Sequence, residues 1–233
     1  MSPTLWKQLI SEFIGTFALI FIGVGAIHHA SNPASGMGLL GVALAHGLTI
    51  AAMVTATGGI CGGQLNPAVT FGLWIGRQIE TGKALLYAVA QLLGATVAGY
   101  VLLFVLNDAS NAGNDAVRIV AKGTPALAPH VTFLQGVVIE MILTFFLVFV
   151  VYGSAVDTRA PRLGGLAIGF TVTLDILFGG PLTGAAMNPA RTFGPALASG
   201  MWTSHAVYWI GPLLGAGLAG FIYGRFLIHQ DKS

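Results

Sequence analysis

Residues 62–72 read GGQLNPAVTFG, and residues 184–194 read GAAMNPARTFG. Both stretches contain Asn-Pro-Ala followed, after one residue, by Thr-Phe-Gly. Asn is a favoured N-cap and Pro is favoured at the first helical position, so each stretch predicts the start of a helix. The apolar segments that begin there, at about 67–76 and 189–198, are shorter than the roughly 20 residues that cross a bilayer. The sequence therefore predicts two half-helices.

The composition places these half-helices in a membrane protein. The chain of 233 residues is 55% hydrophobic and only 8% charged, whereas a soluble domain carries about 25% charged residues. We therefore expect one membrane domain over 1–233. The net charge of +2 gives no reason to expect nucleic acid as a partner, and the single cysteine excludes an intrachain disulfide. We find no nucleophile–base pair and no metal-ligand cluster, so we expect no enzymatic activity, cofactor or metal.

Six hydrophobic runs are long enough to span the bilayer. We predict spans at about 9–28, 38–57, 84–106, 133–153, 163–180 and 204–227. The positively charged residues lie mostly on the side of the termini, which predicts that the termini are cytoplasmic. That side has Lys7, Arg77, Lys83, Arg159, Arg162, Arg225 and Lys232, and the other has Arg118 and Lys122.

The two halves of the chain repeat each other. SEFIGTF at 11–17 matches IEMILTF at 139–145, and YAVAQLLGATVAG at 87–99 matches YWIGPLLGAGLAG at 208–220; these pairs and the Asn-Pro-Ala pair are offset by 128, 121 and 122 residues. Each repeat, at about 5–106 and 132–228, has three spans, so the second enters the membrane inverted. The segment 107–131 is expected to be an outer loop. Small residues four apart in the third and sixth spans, such as Ala90 with Gly94 and Gly211 with Gly215, predict close packing between the halves.

Inversion directs the two half-helices at each other from opposite sides of the membrane. Their N-termini are predicted to meet near mid-membrane, each with about half a positive charge from the helix dipole. The boxes Asn66-Pro67-Ala68 and Asn188-Pro189-Ala190 would then present two side-chain amides to a cavity, since half-helices exposed to lipid would leave polar backbone groups unpaired. Such a junction favours a neutral acceptor such as water and repels cations.

At this point the chain resembles the aquaporin (major intrinsic protein) family, and within it the water-channel branch. The resemblance rests on both Asn-Pro-Ala boxes, on Arg191 three residues after Asn188, and on the repeated Glu-x-x-x-Thr. It implies an all-α membrane protein with six transmembrane helices, two re-entrant half-helices and an inverted repeat. It also implies a homotetramer with one pore in each subunit, and it implies that Glu12 and Glu140 hold the half-helix loops.

The resemblance further implies a selectivity filter made of His46, Ile176, Ala185 and Arg191. This set is similar to the filters of the tonoplast intrinsic group of plants, because it combines His, Ile, a small residue and Arg. We expect a pore that is slightly wider and less polar than a strict water filter. It would pass water and, as a hypothesis, ammonia, hydrogen peroxide or urea, while protons and ions are excluded.

Several alternatives remain open. The chain could be an ammonia or urea facilitator with incidental water flux, or an alternating-access carrier, or a structural membrane protein. The expected location is a prokaryotic inner membrane, with the vacuolar membrane as the alternative. The roles of Asp175, which lies inside a span, of His130 in the outer loop, and of Cys61 are not decided by the sequence.

Overall fold

The computed structural model describes residues 4–107, 115–161 and 163–228. Within these ranges the chain is helical, with six helices long and apolar enough to cross a membrane. The helices are α1 (Leu5–Ala30), α2 (Gly38–Cys61), α3 (Pro67–Ile75), α4 (Thr81–Val105), α5 (Asp115–Gly123), α6 (Phe133–Val151), α7 (Gly165–Thr183), α8 (Pro189–Ser199) and α9 (Val207–Ile222). One π-helical turn extends α6 over Tyr152–Val156, and another extends α9 over Tyr223–Leu227.

The predicted fold class is confirmed. The six spans correspond to α1, α2, α4, α6, α7 and α9, and the two half-helices are α3 and α8. The largest differences lie at the helix ends. For example, the first span was predicted from residue 9, but α1 begins at Leu5. Hydropathy marks only the part of a helix that lies in hydrocarbon, whereas the helix continues through Trp6 and Lys7 into the polar interface.

The segment 107–131 contains a helix that the sequence analysis did not predict. Residues 108–114 lie outside the described part of the chain, but α5 follows them directly. Ala116 and Val120 are four residues apart on α5 and both are buried. A side chain at Gly123 would meet Val24 of α1, so α5 packs closely on the first span. A nine-residue helix between turn-forming residues gives too short a periodic pattern to detect.

Small residues allow the spanning helices to pack backbone against backbone. A side chain on Gly94 of α4 would overlap the backbone of Phe13, and a side chain on Gly215 of α9 would overlap the backbone of Met141. Both contacts lie within one half, which corrects the expectation that these positions join the halves. Contacts between the halves occur further along the same helices, where Gly220 of α9 meets the backbone of Gly72.

Candidate permeation pathway

Two asparagines tie the half-helices together at their N-termini. As an N-cap, Asn66 accepts a hydrogen bond from the backbone N–H of Ala68 at 2.8 Å, and Asn188 accepts one from the backbone N–H of Ala190 at 3.0 Å. The amide groups also cross between the halves. Asn66 Nδ2 donates to the Met187 carbonyl at 2.8 Å, and Asn188 Nδ2 donates to the Leu65 carbonyl at 3.0 Å. Because a side-chain amide has two N–H groups, each asparagine retains one further donor.

The residues just before the two asparagines have an unusual backbone conformation. Leu65 and Met187 both have a φ of 52°, in the left-handed region that bulky residues rarely occupy. Such a conformation costs about 1–3 kcal/mol and persists only where the surroundings enforce it. Here it directs the carbonyls of both residues toward the asparagine of the opposite half.

Buried carboxylates hold both loops in this conformation. Glu12 accepts hydrogen bonds from the backbone N–H groups of Gln64 at 3.0 Å and Leu65 at 2.6 Å. In the second half, Glu140 accepts from the backbone N–H groups of Ala186 at 3.0 Å and Met187 at 2.7 Å. Neither glutamate has any exposed surface, so these bonds fix the loops from inside the protein.

Two tyrosines form hydrogen bonds to the C-terminal ends of the helices that precede these loops. Tyr87 donates its hydroxyl hydrogen to the Cys61 carbonyl at 3.1 Å, and Tyr208 donates to the Thr183 carbonyl at 2.7 Å. The free carbonyls at the C-termini of α2 and α7 are thereby satisfied, as buried helix ends require. The sequence analysis did not assign a function to these tyrosines, although both stand first in the repeated stretches that begin at 87 and 208.

Two cavities adjoin each other at the residues proposed as the filter. The inner cavity has a volume of about 40 Å³ and is lined by both Asn66 and Asn188. The outer cavity has a volume of about 280 Å³. His46, Ile176 and Arg191 line both cavities, and Ala185 lines the inner one. Because one water molecule needs about 10–15 Å³ of cavity volume, the inner cavity has room for about three water molecules.

Arg191 is fixed at the boundary between the cavities. Its Nε donates to His46 Nε2 at 3.3 Å, and its Nη1 donates to the Gly123 carbonyl at the end of α5 at 2.8 Å. Within residues 4–107, 115–161 and 163–228, no protein group accepts a hydrogen bond from Nη2. The guanidinium therefore keeps a donor for a molecule that passes from one cavity to the other.

His46 is oriented by its own helix. Its Nδ1 lies 2.8 Å from the Val42 carbonyl, one turn earlier in α2. A carbonyl can only accept, so Nδ1 carries the hydrogen and Nε2 accepts from Arg191. This tautomer leaves the imidazole neutral beside the guanidinium. The sequence pattern predicted neither this pairing nor the contribution of the Gly123 carbonyl, since both depend on how α5 packs.

Two residues left open by the sequence lie away from both cavities. Asp175 is 5% exposed, and its Oδ2 has no hydrogen-bond partner in the described structure. It lines neither the inner nor the outer cavity, although its neighbour Ile176 lines both. Cys61 is buried at the end of α2, where its sulfur accepts from the Gly63 N–H at 3.3 Å.

The protein thus has inverted halves and two half-helices joined end to end, with a narrow cavity at their junction that both asparagines line. This arrangement defines a transmembrane channel. The chain belongs to the major intrinsic protein family, whose family model matches residues 1–223. The predicted family is thus confirmed.

Individual relatives extend over nearly the whole chain. Aquaporin TIP4-1 of Arabidopsis thaliana is 46% identical over 98% of this chain and 89% of its own length. Aquaporin TIP4-4 of Zea mays is 42% identical over 96% of this chain and 88% of its own length. The aquaglyceroporin from Plasmodium falciparum, known by X-ray structure, superposes with a TM-score of 0.81 at 24% identity, covering 96% of this chain and 97% of its own. This last likeness concerns the fold alone.

Proposed function

We propose that the protein is a passive channel that conducts water across a membrane while excluding protons and ions. The observation that carries this proposal is the inner cavity, about 40 Å³ in volume, with the two cross-bonded asparagines on its wall. The names of the relatives, which are aquaporins, support the same function.

The geometry indicates how water would cross the junction and why cations would be excluded from it. A water oxygen at the junction would accept from the remaining amide hydrogens of Asn66 and Asn188. The N-termini of α3 and α8 add about half a positive charge each at the same place. Arg191 adds a full charge at the outer boundary of the inner cavity. These charges raise the energy of a cation or hydrated proton and leave a neutral molecule unaffected.

The filter is the basis for proposing a wider range of solutes. His46 and Arg191 provide polar groups at the boundary, while Ile176 and Ala185 are apolar. Ammonia, hydrogen peroxide and urea are neutral and are compatible with such a wall. The second candidate function is therefore ammonia or urea transport with incidental water flux, and the two apolar filter residues favour it.

The assembly and location extend the same proposal. We expect a homotetramer with one pore per subunit, cytoplasmic termini and no catalytic activity. The sequence favoured a prokaryotic inner membrane, but the plant TIP-type relatives favour the vacuolar alternative. Localisation of the tagged chain in its native cell would distinguish the two membranes.

One preparation of liposomes tests both candidate functions. Stopped-flow light scattering would measure water, urea and glycerol permeability, and an internal pH dye would report ammonia entry. A water permeability several times that of empty liposomes is expected. Water flux equal to that of empty liposomes would refute the channel proposal, and ammonia flux at the empty-liposome level would refute the wider range. The variant Ala185→Ser, which narrows the filter without placing a β-branched side chain on the left-handed backbone of residue 185 (φ 45°), should reduce urea flux more than water flux.

A further inference from the structure

A crevice with a volume of about 350 Å³ lies outside the permeation pathway, between α3, α4 and α9. One wall is a stripe of α3 residues three or four apart, from Pro67 to Trp74. The facing wall is a similar stripe on α4 that includes Ala84 and Ala88, and α9 contributes Trp209. Because α4 and α9 are both long and apolar enough to cross a membrane, we expect the crevice between them to open toward hydrocarbon rather than water.

The polar side-chain groups of this crevice are already paired inside the protein. Trp74 Nε1 donates to Thr81 Oγ1 at 2.9 Å, and Trp209 Nε1 donates to His205 Nε2 at 3.0 Å. Thr70 Oγ1 accepts from Gln91 Nε2 at 3.0 Å. The crevice therefore offers almost no polar group to a ligand, and its occupant must be apolar.

The inverted repeat shows that the crevice is specific to the first half. With the offset of 121 residues, Thr81, Ala84 and Ala88 correspond to Trp202, His205 and Trp209. In the second half these larger side chains form an aromatic cluster: the ring centroids of Trp202 and His205 are 4.7 Å apart, and Phe193 lies 5.8 Å from Trp202. The second half thus fills the equivalent space with its own side chains, whereas the first half leaves it open.

We propose that this crevice binds one acyl chain of a bilayer lipid. The lipid supplies on the first half the apolar volume that Trp202 and His205 supply on the second. Close-packed interiors tolerate empty apolar space poorly, and lipid tails are the apolar molecules present at this depth. Leu85, at the edge of the crevice, is 64% exposed and lies where such a tail would enter.

An acyl chain in this crevice would contact the first half-helix directly. Pro67, the first residue of α3, lies on the crevice wall. Thr70 on the same wall is bonded to Gln91, which also donates to Glu12 Oε2 at 2.7 Å. The chain would therefore support the half-helix whose loop Glu12 fixes from the other side.

Tryptophan fluorescence offers a direct test. In a background with Trp6→Phe, two of the three remaining tryptophans, Trp74 and Trp209, line the crevice, and Trp202 is kept because it fills the equivalent space in the second half. The purified protein in detergent would be titrated with phosphatidylcholine carrying bromine atoms at mid-chain, which quench indole fluorescence on contact. We expect saturable quenching with one lipid per subunit.

Two variants, one that fills the crevice and one matched control, test whether the quenching comes from lipid bound in the crevice. Ala84→Phe should abolish the saturable component, whereas Val97→Phe, on the exposed face of α4 outside the crevice, should retain it. If Ala84→Phe does not yield folded protein, Ala88→Phe serves the same purpose. Quenching that is equal in the filled variant, or that rises without saturation, would mean general contact with lipid and would overturn the proposal. Absence of quenching at every lipid ratio would mean that detergent or a second copy of the chain covers the crevice, and would overturn it too.

Discussion

In each half of the channel a buried glutamate holds the half-helix loop. The side chain that donates a third hydrogen bond to that glutamate differs between the halves. Glu12 and Glu140 each accept two backbone hydrogen bonds from the loop that precedes the asparagine. The third bond to Glu12 comes from the Gln91 amide at 2.7 Å, and the third bond to Glu140 comes from the Thr183 hydroxyl at 2.7 Å. Each carboxylate thus accepts three hydrogen bonds, and the third donor is a different kind of side chain in each half.

The counterpart of each third donor is a residue that donates weakly or not at all. Gln91 corresponds to Pro212, which has no side-chain donor, and Thr183 corresponds to Cys61, whose thiol is a weak donor. Thr192, the counterpart of the Thr70 that Gln91 binds, has a buried hydroxyl without a hydrogen-bond partner in the described structure. The comparison teaches that a buried carboxylate requires a sufficient number of donors, while the identity of those donors can differ between the halves.

The largest effect is expected when either carboxylate is removed. Each of the variants Glu12→Leu and Glu140→Leu leaves two backbone N–H groups of a half-helix loop without acceptors. At about 1–3 kcal/mol for each, the free energy of unfolding should fall by about 2–6 kcal/mol in either variant. SDS titration in mixed micelles would measure it. Water permeability should also fall, since the left-handed backbone at Leu65 or Met187 is no longer held.

The control for this pair is Glu80→Gln, which changes an acid at the start of α4 that makes no side-chain cap. Its stability should stay within about 0.5 kcal/mol of the unmodified protein. A large loss for Glu12→Leu with none for Glu140→Leu would mean that the two halves are not equivalent, which would contradict the comparison.

A smaller effect is expected when only the third donor is removed. Gln91→Leu and Thr183→Val should each lower the free energy of unfolding by about 1.5–3 kcal/mol, the usual range for a hydrogen bond to a charged group. Thr55→Val is the control, because the Thr55 hydroxyl donates its hydrogen bond to the Ala51 carbonyl of its own helix and not to a carboxylate. The same unfolding measurement applies. If Gln91→Leu were as stable as the control, the amide would not be the required donor in the first half.

The sequence predicted the repeated elements well because each signal appears twice. The boxes at Asn66 and Asn188 specify helix starts through local capping chemistry, and hydropathy specifies the spans. The repeated Glu-x-x-x-Thr marked Glu12 and Glu140 for the same reason. The filter role of His46, Ile176, Ala185 and Arg191 remains a prediction from family resemblance.

Features that occur in one half of the chain, without a counterpart in the other, could not be predicted from the repeat. The third donors differ between the halves, so neither Gln91 nor Thr183 appears in a repeated pattern. The helix α5, which brings the Gly123 carbonyl to Arg191, has no equivalent in the repeat alignment. Such contacts arise from tertiary packing of particular segments, and sequence periodicity carries no information about them.

Arg191 has no charged counterpart in the first half. Replacing it tests whether this charge is needed to exclude cations. The equivalent position in the first box is Val69, so Arg191→Val makes the two boxes alike. Loss of the charge should raise ammonium or proton conductance by about tenfold or more, since about 1.4 kcal/mol of barrier corresponds to a factor of ten. Liposomes containing a pH dye, subjected to an ion gradient, would measure the leak. Water permeability should persist.

The control variant for this measurement is Arg118→Val, which removes a positive charge from an exposed position on α5. It should leave the leak at the level of the unmodified protein, because the charge is away from the cavity wall. Unchanged ion exclusion in Arg191→Val would mean that the half-helix dipoles and the asparagines suffice without the arginine.

The smallest effect concerns a set of hydrogen bonds in the second half that connects the ends of α6 and α9. The Asp157 carboxylate accepts from Arg159 Nε at 2.9 Å and from the Tyr223 hydroxyl at 3.3 Å, and Arg159 Nη2 also donates to the Leu227 carbonyl at 2.8 Å. The counterparts of Asp157 and Tyr223 in the first half are His29 and Leu102, which cannot form this tie.

The hydrogen bonds from Arg159 hold the pKa of Asp157 well below its usual range. The ionised carboxylate therefore stabilises the folded state above the ordinary aspartate pKa of about 3.9, and this contribution is lost as the pH falls toward the lowered value. Asp157→Asn should be slightly less stable than the unmodified protein at pH 7, and the difference in thermal unfolding midpoint should narrow between pH 5 and pH 3. The effect should be small because the Arg159 side chain is 56% exposed, and ion pairs that solvent reaches contribute little. A difference that stays constant over this range would show that the ionised carboxylate is not what ties α6 to α9.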